Sequence, residues 1–319
     1  MPLDDRARSF LQMLHRIDAP RLSELPIDVA RRNYAKMLYL YRTEPCAEVL
    51  VQDCHIARRE HEGGPLSARL YRPMRAGDAA LPVLLWLHGG GWTLGDLAGY
   101  DPLCRAIANA SGIAVFTLDY RLAPENRFPA ALDDAWQTLC WLQRHGGGYG
   151  LDTAKLAVGG DSAGGNLAAV LALLARDAGM VLAQQLLIYP VVNLASDWKA
   201  DAPYQAGHFL DAEGMRWFMY NYLDTEADRL DWRASPALAK SHVGLAPALI
   251  LSAECDPLTP GVAAYAQQMR AAGVPVRYHD YAGAIHGFLT FPRIFLAADD
   301  AVSLIGRCLR EDFGLEEVK

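Results

Sequence analysis

From residue 81 onward the chain alternates between two textures, and this alternation restricts its fold more than any other feature. The runs PVLLWLH, IAVFTLDY, KLAVGG, QQLLIYPVV, PALILSA and VPVRYHDY are strand-like and almost wholly apolar. Between most of them lie segments with apolar residues at helical spacing, over 99–110, 129–144, 163–178 and 260–272, and a last helix is expected over 292–310. A strand with no polar face has no side to offer water, so both its faces must be covered. Such strands alternating with helices predict an α/β fold, a mostly parallel central sheet flanked by helices. Right-handed crossovers then bring the strand C-terminal ends to one edge, where sheets of this kind bind ligands.

Two regions break the alternation. The first 45 residues carry two helical stripes, Phe10, Met13, Leu14 and Ile17, then Tyr34, Met37, Leu38 and Tyr41 after Pro26. The strand-like runs CHIARRE and LSARLYRP follow, separated by the turn signal EGG. Residues 195–232 then interrupt the core with eight aromatics, among them Trp198, Tyr204, Phe209, Trp217 and Phe218, about twice the density of the whole chain. So many rings need something to cover. The expected division is a core of 46–194 and 233–319, with a helical cap made of 1–45 and 195–232.

Charge and cysteine content narrow the function. The formal net charge is −7, which disfavours a nucleic-acid partner. The six cysteines are irregularly spaced with no Cys-x-x-Cys pair, and read as reduced thiols in a cytoplasmic protein. No apolar stretch approaches the about 20 residues of a membrane span, and MPLDDRARSF lacks the pattern of a secretory signal. Neither a metal nor a cofactor is expected, the partner being a small molecule; a homodimer is compatible with the sequence.

The stretch GGDSAGGN, residues 159–166, joins the run KLAV to a segment with Leu167, Val170, Leu171 and Leu174 on one helical face. Gly160-Asp161-Ser162-Ala163-Gly164 therefore fits G-x-S-x-G on a strand-to-helix turn, the nucleophile elbow of α/β-hydrolases. The sharp turn leaves no room for side chains two residues either side of the serine, and it lifts the hydroxyl to a helix N-terminus. His88-Gly89-Gly90-Gly91-Trp92 follows another strand end. Its glycines leave backbone N–H groups unshielded, as an oxyanion hole requires. The hole is placed on Gly89, Gly90, Gly91 and Ala163, with the amides of Gly90, Gly91 and Ala163 as donors and Gly89 shaping the turn. His88 is expected to brace the loop, and Asp161 to support the elbow.

A serine nucleophile needs a base and an orienting acid. Of nine histidines, His286 is the best candidate for the base, since it follows the last strand on a loop, in GAIHGF. Asp256, in the loop after PALILSA, falls between serine and histidine in chain order, with Glu254 as the alternative.

HGGGW, DYRLAPENRFPAALDD, GDSAGGN, DPL and HGF stand in the order and approximate spacing of the hormone-sensitive-lipase-like esterases, the bacterial GDSAG family of α/β-hydrolases, which the chain resembles over residues 88–288. The resemblance implies a triad of Ser162, Asp256 and His286, and an oxyanion hole of Gly90, Gly91 and Ala163. It also implies a cap built from the two regions set apart above, and support from Tyr120, Arg121 and Glu125. Thr259-Pro260 departs from the charged residues common in relatives. The implied activity is hydrolysis of short- to medium-chain acyl esters, roughly C4 to C8, with a pocket lined by Trp92, Phe209, Trp217, Ile285 and Phe288. Amide or lactone hydrolysis would use the same triad. A ligand receptor on this scaffold is the remaining alternative; the plant gibberellin receptors of the family lack the histidine that His286 provides here.

Overall fold

The computed structural model describes residues 3–58, 64–77, 79–197, 204 and 208–315. The apolar runs become β3 (Leu81–Leu87), β4 (Ala114–Leu118), β5 (Leu151–Asp161), β6 (Gln184–Ile188), β7 (Ala248–Cys255) and β8 (Val276–Ile285), all parallel. The earlier pair, β1 (Val49–Ile56) and β2 (Leu66–Pro73), adds an antiparallel edge, giving the order β1-β2-β4-β3-β5-β6-β7-β8. β1 starts five residues before the run CHIARRE and stops inside it. Gln52 and Asp53 hide the strand in the sequence, yet the edge strand turns them outward while Cys54 and Ile56 pack inward. The tail of that run and most of the EGG turn lie outside the described residues.

β3 shows why both sheet faces are covered. Val83, Leu85 and Leu87 join one core with α4 (Ala130–His145), α5 (Ala163–Asp177) and α7 (Thr259–Ala271). Leu84 and Trp86 join a second core with α3 (Leu97–Ser111) and α8 (Leu296–Phe313). Local chemistry sets the helix ends: Asp96 caps α3 by accepting the Gly99 amide at 2.6 Å, and Gly112 ends it in the left-handed conformation.

The N-terminal stripes form α1 (Asp5–Arg16) and α2 (Ile27–Tyr41), which add Phe10, Tyr34 and Leu38 to the second core. Ile17, at the C-cap of α1, is exposed instead. Within 195–232, α6 (Ala212–Tyr222) begins at an Asp211 cap; Trp198 lies outside the described residues. The segment meets the N-terminal helices directly. Phe209 packs on Phe10, Ser23 Oγ donates to Glu213 at 3.0 Å, and Arg21 pairs with Glu213. No helix among the described residues is long and apolar enough to cross a membrane.

Candidate active site

β3 and β5 are neighbours whose onward connections diverge: the chain leaves β3 for β4 on one side and leaves β5 for β6 on the other. A sheet opens a crevice at such a point. Here the two strand ends carry the glycine-rich loop and Ser162.

Ser162 has φ 55° and ψ −115°, a strained conformation costing on the order of 1–3 kcal/mol. The surroundings hold it there. Its amide donates to the Ile188 carbonyl at 2.8 Å, and its own carbonyl accepts from Asn166 at 3.0 Å and Val191 at 3.2 Å. The flanking glycines are steric requirements, since a Cβ at Gly160 or at Gly164 would collide with the Leu87 carbonyl of β3.

His286 directly follows β8 and Asp256 directly follows β7, so adjacent parallel strands bring them together. His286 Nε2 lies 2.9 Å from Ser162 Oγ, and His286 Nδ1 lies 2.6 Å from Asp256 Oδ2. The second Asp256 oxygen accepts the Leu258 amide at 2.9 Å. The carboxylate is fully buried and the imidazole nearly so, which shields their interaction from water. An imidazole in this position can take the hydroxyl proton while the carboxylate stabilises the resulting cation. Glu254, the alternative acid, instead accepts the Gly283 amide at 2.8 Å and braces the strand that leads to His286.

The glycine-rich loop divides its amides between two uses. Gly89 donates to Tyr100 Oη at 3.0 Å and to Asp161 Oδ1 at 3.1 Å, so its N–H is committed within the protein and braces the turn. The amides of Gly90, Gly91 and Ala163 have no acceptor among the described residues. Gly90 and Gly91 both have positive φ, and the ring of Phe218 occupies the space a Gly91 side chain would need. His88 stacks on Tyr120 with ring centroids 4.2 Å apart, and its Nδ1 lies 2.8 Å from the Gly89 carbonyl. Burial pushes its pKa down to about 4, so the ring is neutral and serves as a brace.

Asp161 is buried beneath the loop, where Tyr100 Oη donates to its Oδ2 at 2.9 Å. Burial raises its pKa to about 7, against the opposing hydrogen bonds from Tyr100 and Gly89. Tyr34 of α2 extends this chain, with its hydroxyl 3.3 Å from that of Tyr100. Periodicity places Tyr34 and Tyr100 on apolar helix faces and carries no sign of these bonds. Tyr189, equally unsignalled, packs its ring 4.8 Å from that of His286.

A cavity of about 60 Å³ opens at Ser162 and His286. Trp92 and Phe209 line it, together with Leu210, Met215 and Phe218. Three other expected pocket residues lie elsewhere. Trp217 packs edge-on against Phe218, one position round α6 from the lining face. Ile285 and Phe288 are fully buried in the core, where Phe288 packs on Tyr189 and Tyr281.

The family model for the alpha/beta hydrolase fold matches residues 84–290, and the chain belongs to this family. It is 37% identical to an ethyl acetate hydrolase of Pseudomonas putida over 290 residues, covering 90% of this chain and 91% of that protein. It is 32% identical to an arylesterase of Saccharolobus solfataricus, covering 98% of this chain and 100% of the relative. The solved hyperthermophilic esterase of Pyrobaculum calidifontis superposes with a TM-score of 0.89 at 39% identity, over 98% of this chain and 99% of that one.

Proposed function

We propose that the chain is a carboxylic ester hydrolase that works through an acyl-enzyme on Ser162. His286 takes the hydroxyl proton as Oγ attacks the ester carbonyl, and Asp256 holds the imidazole in the required tautomer. The oxyanion of the tetrahedral intermediate lies among the amides of Gly90, Gly91 and Ala163, each such donor contributing about 3–4 kcal/mol to the transition state. His286 returns the proton to the departing alcohol. Water, activated by the same imidazole, then releases the acid. The observation that carries this reading is the continuous line Ser162–His286–Asp256, with distances of 2.9 and 2.6 Å, beside three uncommitted amides.

The substrate is a short-chain acyl ester. A cavity of about 60 Å³ walled by Phe209 and Phe218 disfavours a long acyl chain. The relative named for ethyl acetate points the same way. The helices of residues 1–45 and the insertion 195–232 act as the cap that supplies these walls.

Ser162→Ala is expected to lower turnover of p-nitrophenyl butyrate by roughly 10⁴-fold or more while leaving the circular dichroism spectrum unchanged. Near-normal turnover would refute the nucleophile. Across p-nitrophenyl esters of increasing length, kcat/KM is expected to peak between roughly C4 and C8; a maximum at C16 would refute the short-chain assignment.

A further inference from the structure

A second cavity lies on the sheet face covered by α3 and α8. These helices touch closely at Gly306, where a Cβ would come within 2.8 Å of the Ala110 backbone, and Arg310 bonds the Ala110 carbonyl. Nearer the N-terminal half of α8 a cleft of about 320 Å³ lies between them, far larger than the cavity at Ser162. Its walls are apolar, from Pro102, Leu103, Ala106, Leu289 and Val302.

Thr43, Asn109, Thr290 and Ser303 also line it, and its charged groups are Arg42 and Asp299. Arg42, at the C-terminal end of α2, is half-buried and lies 3.9 Å over the Tyr39 ring, with no carboxylate in ion-pair range among the described residues. Neighbouring arginines are committed: Arg105 pairs with Asp101 and Arg293 with Glu44. An arginine withdrawn partly from water without an acidic partner retains donors for an anion. Asp299 also lines the cleft and is exposed. One cation and one anion on the same rim suit a ligand with a single negative charge and disfavour a dianion.

We propose that the cleft between α3 and α8 is a second ligand site that takes a medium-chain monocarboxylate, with the tail between the helices and the head group on Arg42. A cleft of this volume suits a chain of about eight carbons. The wall it shares with the candidate active site makes the two communicate. Thr290 lines both cavities and bonds the Gly287 carbonyl next to His286 at 2.8 Å. Tyr100 lines the cleft and holds Asp161 and the Gly89 amide. An occupant thus presses on the two loops that carry the imidazole and the uncommitted amides. The monocarboxylate is the acid product expected of the proposed esterase, and only the choice of probe rests on that reading.

The test is calorimetric titration of the intact chain with octanoate, without ester present, so that its failure is separate from failure of the esterase reading. One site per chain is expected, with affinity rising roughly fourfold per methylene from butanoate to octanoate. Arg42→Ala is expected to weaken octanoate at least tenfold, and Ala106→Trp to abolish its binding. Arg42 lies outside the core, so its variant keeps the test decisive if the tryptophan variant does not fold. Absence of saturable octanoate binding, or binding with unchanged affinity in Arg42→Ala, would overturn the proposal.

Discussion

Asp161 is buried one residue from Ser162, and its environment makes a pH-dependent statement about the whole chain. In the folded state its carboxyl keeps a proton up to about pH 7, against an ordinary value of 3.8. Between these values the folded state binds more protons than the unfolded state, so this group makes stability fall as pH rises. The penalty is absent below about pH 4 and complete above about pH 7. Its size is on the order of 4 kcal/mol. Asp161→Asn removes the titration, and the amide can still accept from Gly89 and donate to the Tyr100 oxygen. Urea unfolding is therefore expected to show the wild type losing stability relative to Asp161→Asn between pH 4 and pH 7, whereas a constant difference would contradict the burial argument. The serine, the histidine and the acid are legible in the sequence because strand ends and glycines mark them. Tyr34 and Tyr100 are not, because a buried tyrosine in an apolar stripe looks the same whether or not its hydroxyl finds a partner.

At the scale of elements, α6 supplies Met215 and Phe218 to the cavity at Ser162. Phe218 projects from it onto Gly91, and only a glycine tolerates that ring so close. Phe218→Ala opens the cavity without touching Ser162, His286 or Asp256. It is expected to raise the C8-to-C4 ratio of kcat/KM roughly tenfold; an unchanged ratio would show that α6 does not limit chain length. The aromatic density of 195–232 points to a covering element, but not to which ring faces inward. Trp217 and Phe218 are neighbours in sequence, and the roll of one short helix places the second against the loop. The same ambiguity holds at β8. Ile285 and Phe288 flank His286 and turn into the core, because strand alternation and the turn at Gly287 point them away from the cavity. α2 is fixed more firmly than an apolar stripe implies. Arg31 donates to the Thr93 and Ala123 carbonyls, each at 2.9 Å, and pairs with Glu125, tying the helix to the loop beyond Gly91.

For the molecule as a whole, the run of apolar strands and helices makes the α/β class and its parallel sheet readable, and the structure and its relatives bear out the α/β-hydrolase fold. Strand order is another matter. Apolar periodicity says that β3, β4 and β5 are buried, not that β3 lies between the other two, and that placement opens the crevice. The proposed reaction depends on this arrangement, since residues 90, 162, 256 and 286 are distant in sequence and meet at the sheet edge. Intact-mass and peptide analysis after treatment with an organophosphate tests the arrangement most directly, because the reagent reacts with a serine only when imidazole and amides assist. One phosphoryl group per chain, on Ser162, with activity lost in proportion and no adduct in His286→Ala, is the expected result. Inactivation with Ser162 unmodified, or full activity with Ser162 modified, would contradict the account.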